Sequence, residues 1–143
     1  MARTKLNPIQ IAPNNTKAQI TSNFSTASTT SVQVTGLSCT VTVPANANLV
    51  KITFWTGFID NNSTAFVEAT IWDGTVGSGT QLALVSIDIN ATNTRQIPVC
   101  MVALPPVPAA GSKTYNVGLR STAGTGFIFG ATTSPAFLLV EIT

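Results

Sequence analysis

The sequence has no histidine, the commonest general base and metal ligand. Charged residues make up only 8% of its 143 positions, against roughly 25% in an ordinary soluble domain. Its five acids are scattered and form no paired carboxylates, so no catalytic or cofactor-holding constellation can be assembled from the sequence. The expectation is a non-enzyme without cofactor or metal. Cysteines are limited to Cys39 and Cys100, both in apolar strand-like contexts (SCTVTV and IPVCMVAL) where a reduced thiol behaves as a small hydrophobe. No apolar run approaches the ~20 residues of a membrane span. MARTKLNPIQIAP begins basic but holds no apolar signal-peptide core, so synthesis in the cytosol is expected.

Two glycine-rich stretches lack the features of the sites they resemble. GTVGSG at 74–79 and AAGSKT at 109–114 do not have the order of a phosphate-binding loop, and no helical pattern follows either. They are turns. DNNSTAFVE, from Asp60, starts like a calcium loop but has neither the glycine nor the glutamate spacing.

Polarity comes instead from Thr, Ser and Asn, as in TSNFSTASTTS at 21–31; threonine suits strands and asparagine suits turns. From residue 31 the pattern is strand after strand. SVQVTGL and SCTVTVP alternate with period two. VKITFWTGFI follows, with Val50, Ile52, Phe54 and Phe58 assigned to one face and Trp55 to the other. AFVEATIW, QLALVSIDI and KTYNVGLR each set alternate apolar residues on a common face. Pro98 marks QIPVCMVAL as an edge strand or a bulge. Eight or nine short strands at this spacing predict an all-β fold, a two-sheet antiparallel sandwich. An immunoglobulin-type sandwich competes, but its Cys, Trp, Cys spacing is missing.

The last strand, AFLLVEI, differs from the others. Ala136, Leu138, Val140 and Ile142 form one face; Phe137, Leu139 and Glu141 form the other. With both faces largely apolar, the strand is expected to be central, its second face covered by further copies of the chain. Phe137, Leu139 and Glu141 are therefore the expected oligomer interface.

Charge is unevenly placed. Arg3, Lys5 and Lys17 fall in the first 17 residues, and no acid precedes Asp60. Residues 1–20, with Pro8 and Pro13, read as an extended arm ahead of a nearly neutral domain at 21–143. A basic arm docks on acidic surfaces. Arg3, Lys5 and Lys17 supply the charge, and Leu6, Ile9 and Ile11 the apolar and strand-like contacts. The net charge of +2 is too small to argue for nucleic acid. A separate ligand loop is sketched by Asp60, Asn61, Trp72 and Asp73, with Trp72 placed at a loop tip before the Asp73-Gly74 turn.

PPVPAAGSKTYNVGLRSTAGTGFIFGATTSPAFLLVEIT, from Pro105 onward, resembles the closing strands of jelly-roll modules similar to tumour necrosis factor, which are common in tailed-bacteriophage structural proteins. The resemblance rests on Pro108, Ala109, Ala110, Gly111 and Tyr115, a strand ending on Arg120, a glycine-rich turn, and Ala136 to Glu141. VTVPANANLVKITFWTGF resembles the matching early strands, so the likeness covers roughly residues 31–143. MARTKLNPIQIAPNN resembles the opening of phage appendage and minor structural proteins. The resemblance implies a jelly-roll sandwich, a homotrimer packed through one sheet, and a place in the virion. Two roles follow from it. One is a decoration or cement protein that grips the major capsid protein, or another virion protein, through its arm. The other is a tail-fibre or receptor-binding module that contacts host-surface glycan. A bacterial adhesin module is a third reading. Neither nucleic acid nor membrane is an expected partner.

Overall fold

A computed structural model describes residues 15–89 and 96–143. Ten strands run through them: β1 (Thr16–Ile20), β2 (Phe24–Thr26), β3 (Val32–Val43), β4 (Val50–Asn61), β5 (Ala65–Asp73), β6 (Thr80–Ile89), β7 (Ile97–Ala103), β8 (Gly111–Ser121), β9 (Gly126–Ile128) and β10 (Ala136–Ile142). There is no helix among the described residues.

Every strand pair is antiparallel. The first sheet runs β1-β10-β4-β9-β2, with β7 also paired to β4; the second runs β3-β8-β5-β6. Strands distant in sequence thus lie side by side, β3 against β8 and β4 against β10. This interleaving of β1-β10-β4-β7 with β3-β8-β5-β6 is the double Greek key of a jelly roll. The expected all-β jelly-roll sandwich is what the chain forms.

The alternation read in the sequence decides which side chains meet between the sheets. Val50, Ile52 and Phe54 of β4 and Leu138, Val140 and Ile142 of β10 pack against Val67, Ala69, Ile71, Tyr115, Val117 and Leu119 of the second sheet. Burial of this apolar area, at about 25 cal/mol per Å², is the main stabilising term. The thiol of Cys39, on β3, crosses the sandwich and donates to the carbonyl of Leu138, 3.3 Å away. Burial raises its pKa, partly offset by a backbone hydrogen bond at Ala18. Cys39 and Cys100 are both unpaired, and Cys100 is exposed on the outer side of β7 rather than packed inside.

Three expectations are corrected. Residues 16–20, assigned to the arm, form β1, in register with β10 from Thr16↔Val140 to Ile20↔Ala136. The jelly roll therefore starts before residue 21. The rest of the arm, with Arg3, Lys5, Leu6, Ile9 and Ile11, lies outside the described residues. Phe58 is not on the inner face. The register of β4 against β7 shifts between Thr56 and Ile59, which turns Phe58 outward onto Phe129, their rings stacked at 4.3 Å. Asp60 and Asn61 are not loop residues but the buried end of β4. Among the described residues β7 pairs only with β4, as suits an edge strand that carries Pro98.

Candidate interaction surfaces

Two surfaces remain once the core is accounted for, one on the outer side of each sheet. The central strand β10 presents Phe137, Leu139 and Glu141 outward, all partly exposed. Register fixes their neighbours. Phe137 stands beside Gln19 and Trp55, and Trp55 beside Cys100; Leu139 stands beside Lys17 and Thr53, and Thr53 beside Val102. Trp55 and Phe137 stack at 5.8 Å, and the Lys17 ammonium lies 5.1 Å from the Phe137 ring centroid. Glu141 is held by Lys51 at 2.9 Å, so the row beyond Leu139 carries no net charge. Val102 and Leu104, 50% and 63% exposed, extend the apolar surface at the β7 edge. The three residues expected at an interface are thus gathered on one face. Sequence reading missed its other members, because Trp55, Cys100 and Val102 join it only through strand pairing.

The second surface is a groove of about 330 Å³ on the outer side of β5 and β8. Its floor is Thr70, Glu68 and Arg120, and Trp72 and Leu84 flank it. Two loops form its walls. Residues 28–31 are held by the Ser121 amide donating to Ser28 O at 2.9 Å, and by the Ser31 and Thr70 hydroxyls 3.2 Å apart. The β5–β6 loop is held by Asn116 Nδ2 donating to Gly74 O at 2.8 Å and by the Gly74 amide donating to Thr114 O at 2.8 Å. Gly118, at the middle of β8, has no room for a side chain. A Cβ there would come within 2.6 Å of Thr70 Oγ1, 2.8 Å of Ser31 Oγ and 2.9 Å of Val76 Cγ1. A glycine at this position lets both loops sit down on the sheet.

The four residues expected in a ligand loop are dispersed. Asn61 donates to Ser121 Oγ at 2.7 Å and to Ala123 O at 3.0 Å, while its own carbonyl accepts from the Ser63 amide. Asp60 accepts from the Asn61 amide at 2.7 Å. Asn61 ties the end of β4 to the loop after β8, Asp60 bonds the backbone beside it, and both are buried and offer no exposed ligand surface. Asp73 closes β5 and pairs with Lys113 at 3.3 Å. Trp72 is within β5 rather than at a loop tip, and it alone of the four lines the groove. Of the groove's other members, Arg120 had drawn notice only as the end of a strand. No cluster of metal-binding side chains occurs among the described residues.

No protein-family model matches the sequence, and no curated protein matches it. Among solved structures the chain is similar to the Eiger TNF of S. frugiperda, at 9% identity and a TM-score of 0.47 over 91% of this chain and 94% of that one. It is also similar to TmCBM61 in complex with beta-1,4-galactotriose, at 14% identity and a TM-score of 0.38 over 87% and 68%. A third likeness is to the VP2 subviral particle of infectious bursal disease virus, at 12% identity and a TM-score of 0.47 over 99% of this chain and 37% of that one. These likenesses are distant, and no binding property of the chain follows from them.

Proposed function

We propose that the protein is a non-enzymatic structural component of a tailed-bacteriophage particle, a homotrimer that decorates or cements the capsid through its basic N-terminal segment. The observation that carries this reading is the outer face of β10. A central strand with Phe137 and Leu139 outside, flanked by Trp55 and Val102, leaves an aromatic and aliphatic surface with a neutralised ion pair at its border. Such a patch is what a self-association surface requires. The scarcity of charge fits the same reading, since little electrostatic repulsion opposes assembly.

Charge placement supports the grip. Lys51, Lys113 and Arg120 each pair with an acid of the sandwich. Arg3 and Lys5 sit in a segment without any acid, whereas Lys17 belongs to β1 and lies over Phe137. An acidic capsid surface would meet that unopposed charge. Three arms, each binding at about millimolar strength, would gain steeply from being joined in one trimer.

The test compares the full chain with a version lacking residues 1–14, which keeps β1 intact. Each is weighed in solution and then sedimented with undecorated phage capsids. Trimers in both, with capsid binding by the full chain alone, are the expected result. Monomers would refute the assembly reading, and trimers that ignore the capsid in both forms would refute decoration.

A further inference from the structure

We propose that the groove between the 28–31 loop and the β5–β6 loop binds a neutral sugar unit of a glycan. The inference does not rest on the virion reading and would stand in any other setting.

Shape and rigidity come first. A volume of about 330 Å³ sits at the small end of ligand sites, the size of one or two hexose rings rather than a peptide or a nucleotide. Both walls are pinned to the sheet by backbone hydrogen bonds, and the Ser28 hydroxyl donates to Thr30 O at 2.7 Å to set the rim. A preformed site loses little ordering entropy on binding, which matters for a weak ligand such as a sugar.

The chemistry of the lining then narrows the ligand. Trp72 Nε1 donates to Thr70 Oγ1 at 2.7 Å. With its one polar atom committed to the sheet, the indole offers the groove carbon and π surface, which suits the C–H face of a pyranose. Gln81 is paired with Trp72 in register and is exposed, so its amide can donate and accept beside the ring. Arg120 Nε donates to Glu68 Oε2 at 2.7 Å and Nη1 to Thr29 O at 3.4 Å, leaving further guanidinium N–H groups for hydroxyl acceptors. An aromatic side chain with donors and acceptors around it fits a polyol.

Charge decides the class. The groove's one cation and one anion neutralise each other, and Asp73 beside Trp72 is matched by Lys113. A phosphate or a sialic acid would find no unpaired cation, whereas a neutral hexose meets only dipoles and a satisfied ion pair. At the binding efficiency usual for small polar ligands, one ring of about 12 non-hydrogen atoms gives a dissociation constant on the order of 1–10 mM.

The chain has two tryptophans, so its indole N–H resonances report two places only. Trp72 lies in the groove, and Trp55, on the other sheet, serves as internal control. Full-length, isotope-labelled protein is titrated with methyl β-D-galactopyranoside, methyl β-D-glucopyranoside and N-acetylneuraminic acid. The expected result is a saturable shift of the Trp72 resonance with at least one neutral glycoside, no shift of Trp55, and no binding of the acidic sugar. Gln81→Ala, an exposed change, is expected to weaken binding about fivefold or more while leaving the Trp55 resonance in place. The proposal is overturned if neither glycoside moves Trp72, if Gln81→Ala binds as well as the parent, or if N-acetylneuraminic acid binds more tightly than both.

Discussion

Tyr115→Phe is expected to make the protein more stable. Tyr115 is fully buried on β8, and its hydroxyl has no hydrogen-bond partner among the described residues. An unsatisfied buried hydroxyl costs about 1–3 kcal/mol. Deleting one oxygen leaves a void of about 10 Å³, which costs only about 0.2 kcal/mol at the usual price per volume. Desolvation wins, so the variant should gain about 1–2 kcal/mol, or roughly 3–6 °C in Tm. Burial, aided by the charge of Asp73, also pushes the phenol from its ordinary value of 10.0 up to about 12. A folded pKa above the unfolded one means that this group's contribution is intact below pH 10 and is lost as the pH climbs toward 12. Two pH units correspond to about 3 kcal/mol. Since Tyr115 is the sole tyrosine, tyrosinate absorbance reads it alone. Denaturant unfolding of parent and variant at neutral and alkaline pH, alongside that absorbance titration, checks both halves. A variant less stable than the parent by 1 kcal/mol or more, on the order of one ordinary hydrogen bond, would refute the reasoning. So would ionisation of the folded protein near pH 10.

Leu139→Lys puts a second cation next to Lys17 on the outer face of β10. It should prevent the proposed trimer from forming, read by sedimentation, while the protomer keeps its sheet circular dichroism; a variant that sediments as the parent does would refute the β10 interface. Gly118→Ala must displace Thr70, Ser31 or Val76, and a loss of about 1–3 kcal/mol is expected in thermal unfolding. If instead the variant melts with the parent, the loops do not rest on β8 as described. Phe54→Ala, in a fully buried site of β4, should cost about 3–5 kcal/mol by denaturant titration, a sum large enough to unfold a marginal domain.

The fold was legible because alternation survives in most strands. A sandwich needs one apolar face per strand, and β3, β5, β8 and β10 each declare theirs by spacing alone. The central place of β10 was legible for a second reason, its two apolar faces. β1 was harder to see. Its inward residues include Ala18, its outward ones are Lys17 and Gln19, and five residues are too few for a period to stand out. The shift that turns Phe58 outward could not be read either, since a bulge depends on the partner strand and not on local composition. Asp60 and Asn61 looked like loop polarity because sequence cannot show that Asn61 will bond Ser121 and Ala123, some sixty residues away, and that Asp60 will be buried beside it. The groove draws on five separate segments, which only the fold brings together.

The pairing of β1 with β10 has a mechanical side. Where the basic segment grips a partner as proposed, tension on it enters the sandwich through Thr16, the first rung of a five-pair ladder. Pulled along its own axis, β1 loads all five rungs at once in shear. Pulled sideways from Thr16, it peels one rung at a time. Ala18 and Ile20 resist through their packing against the core, and Ile20 is also wedged against Gly36. The strength of such a tether is therefore set by the direction of the load as much as by the affinity at its far end.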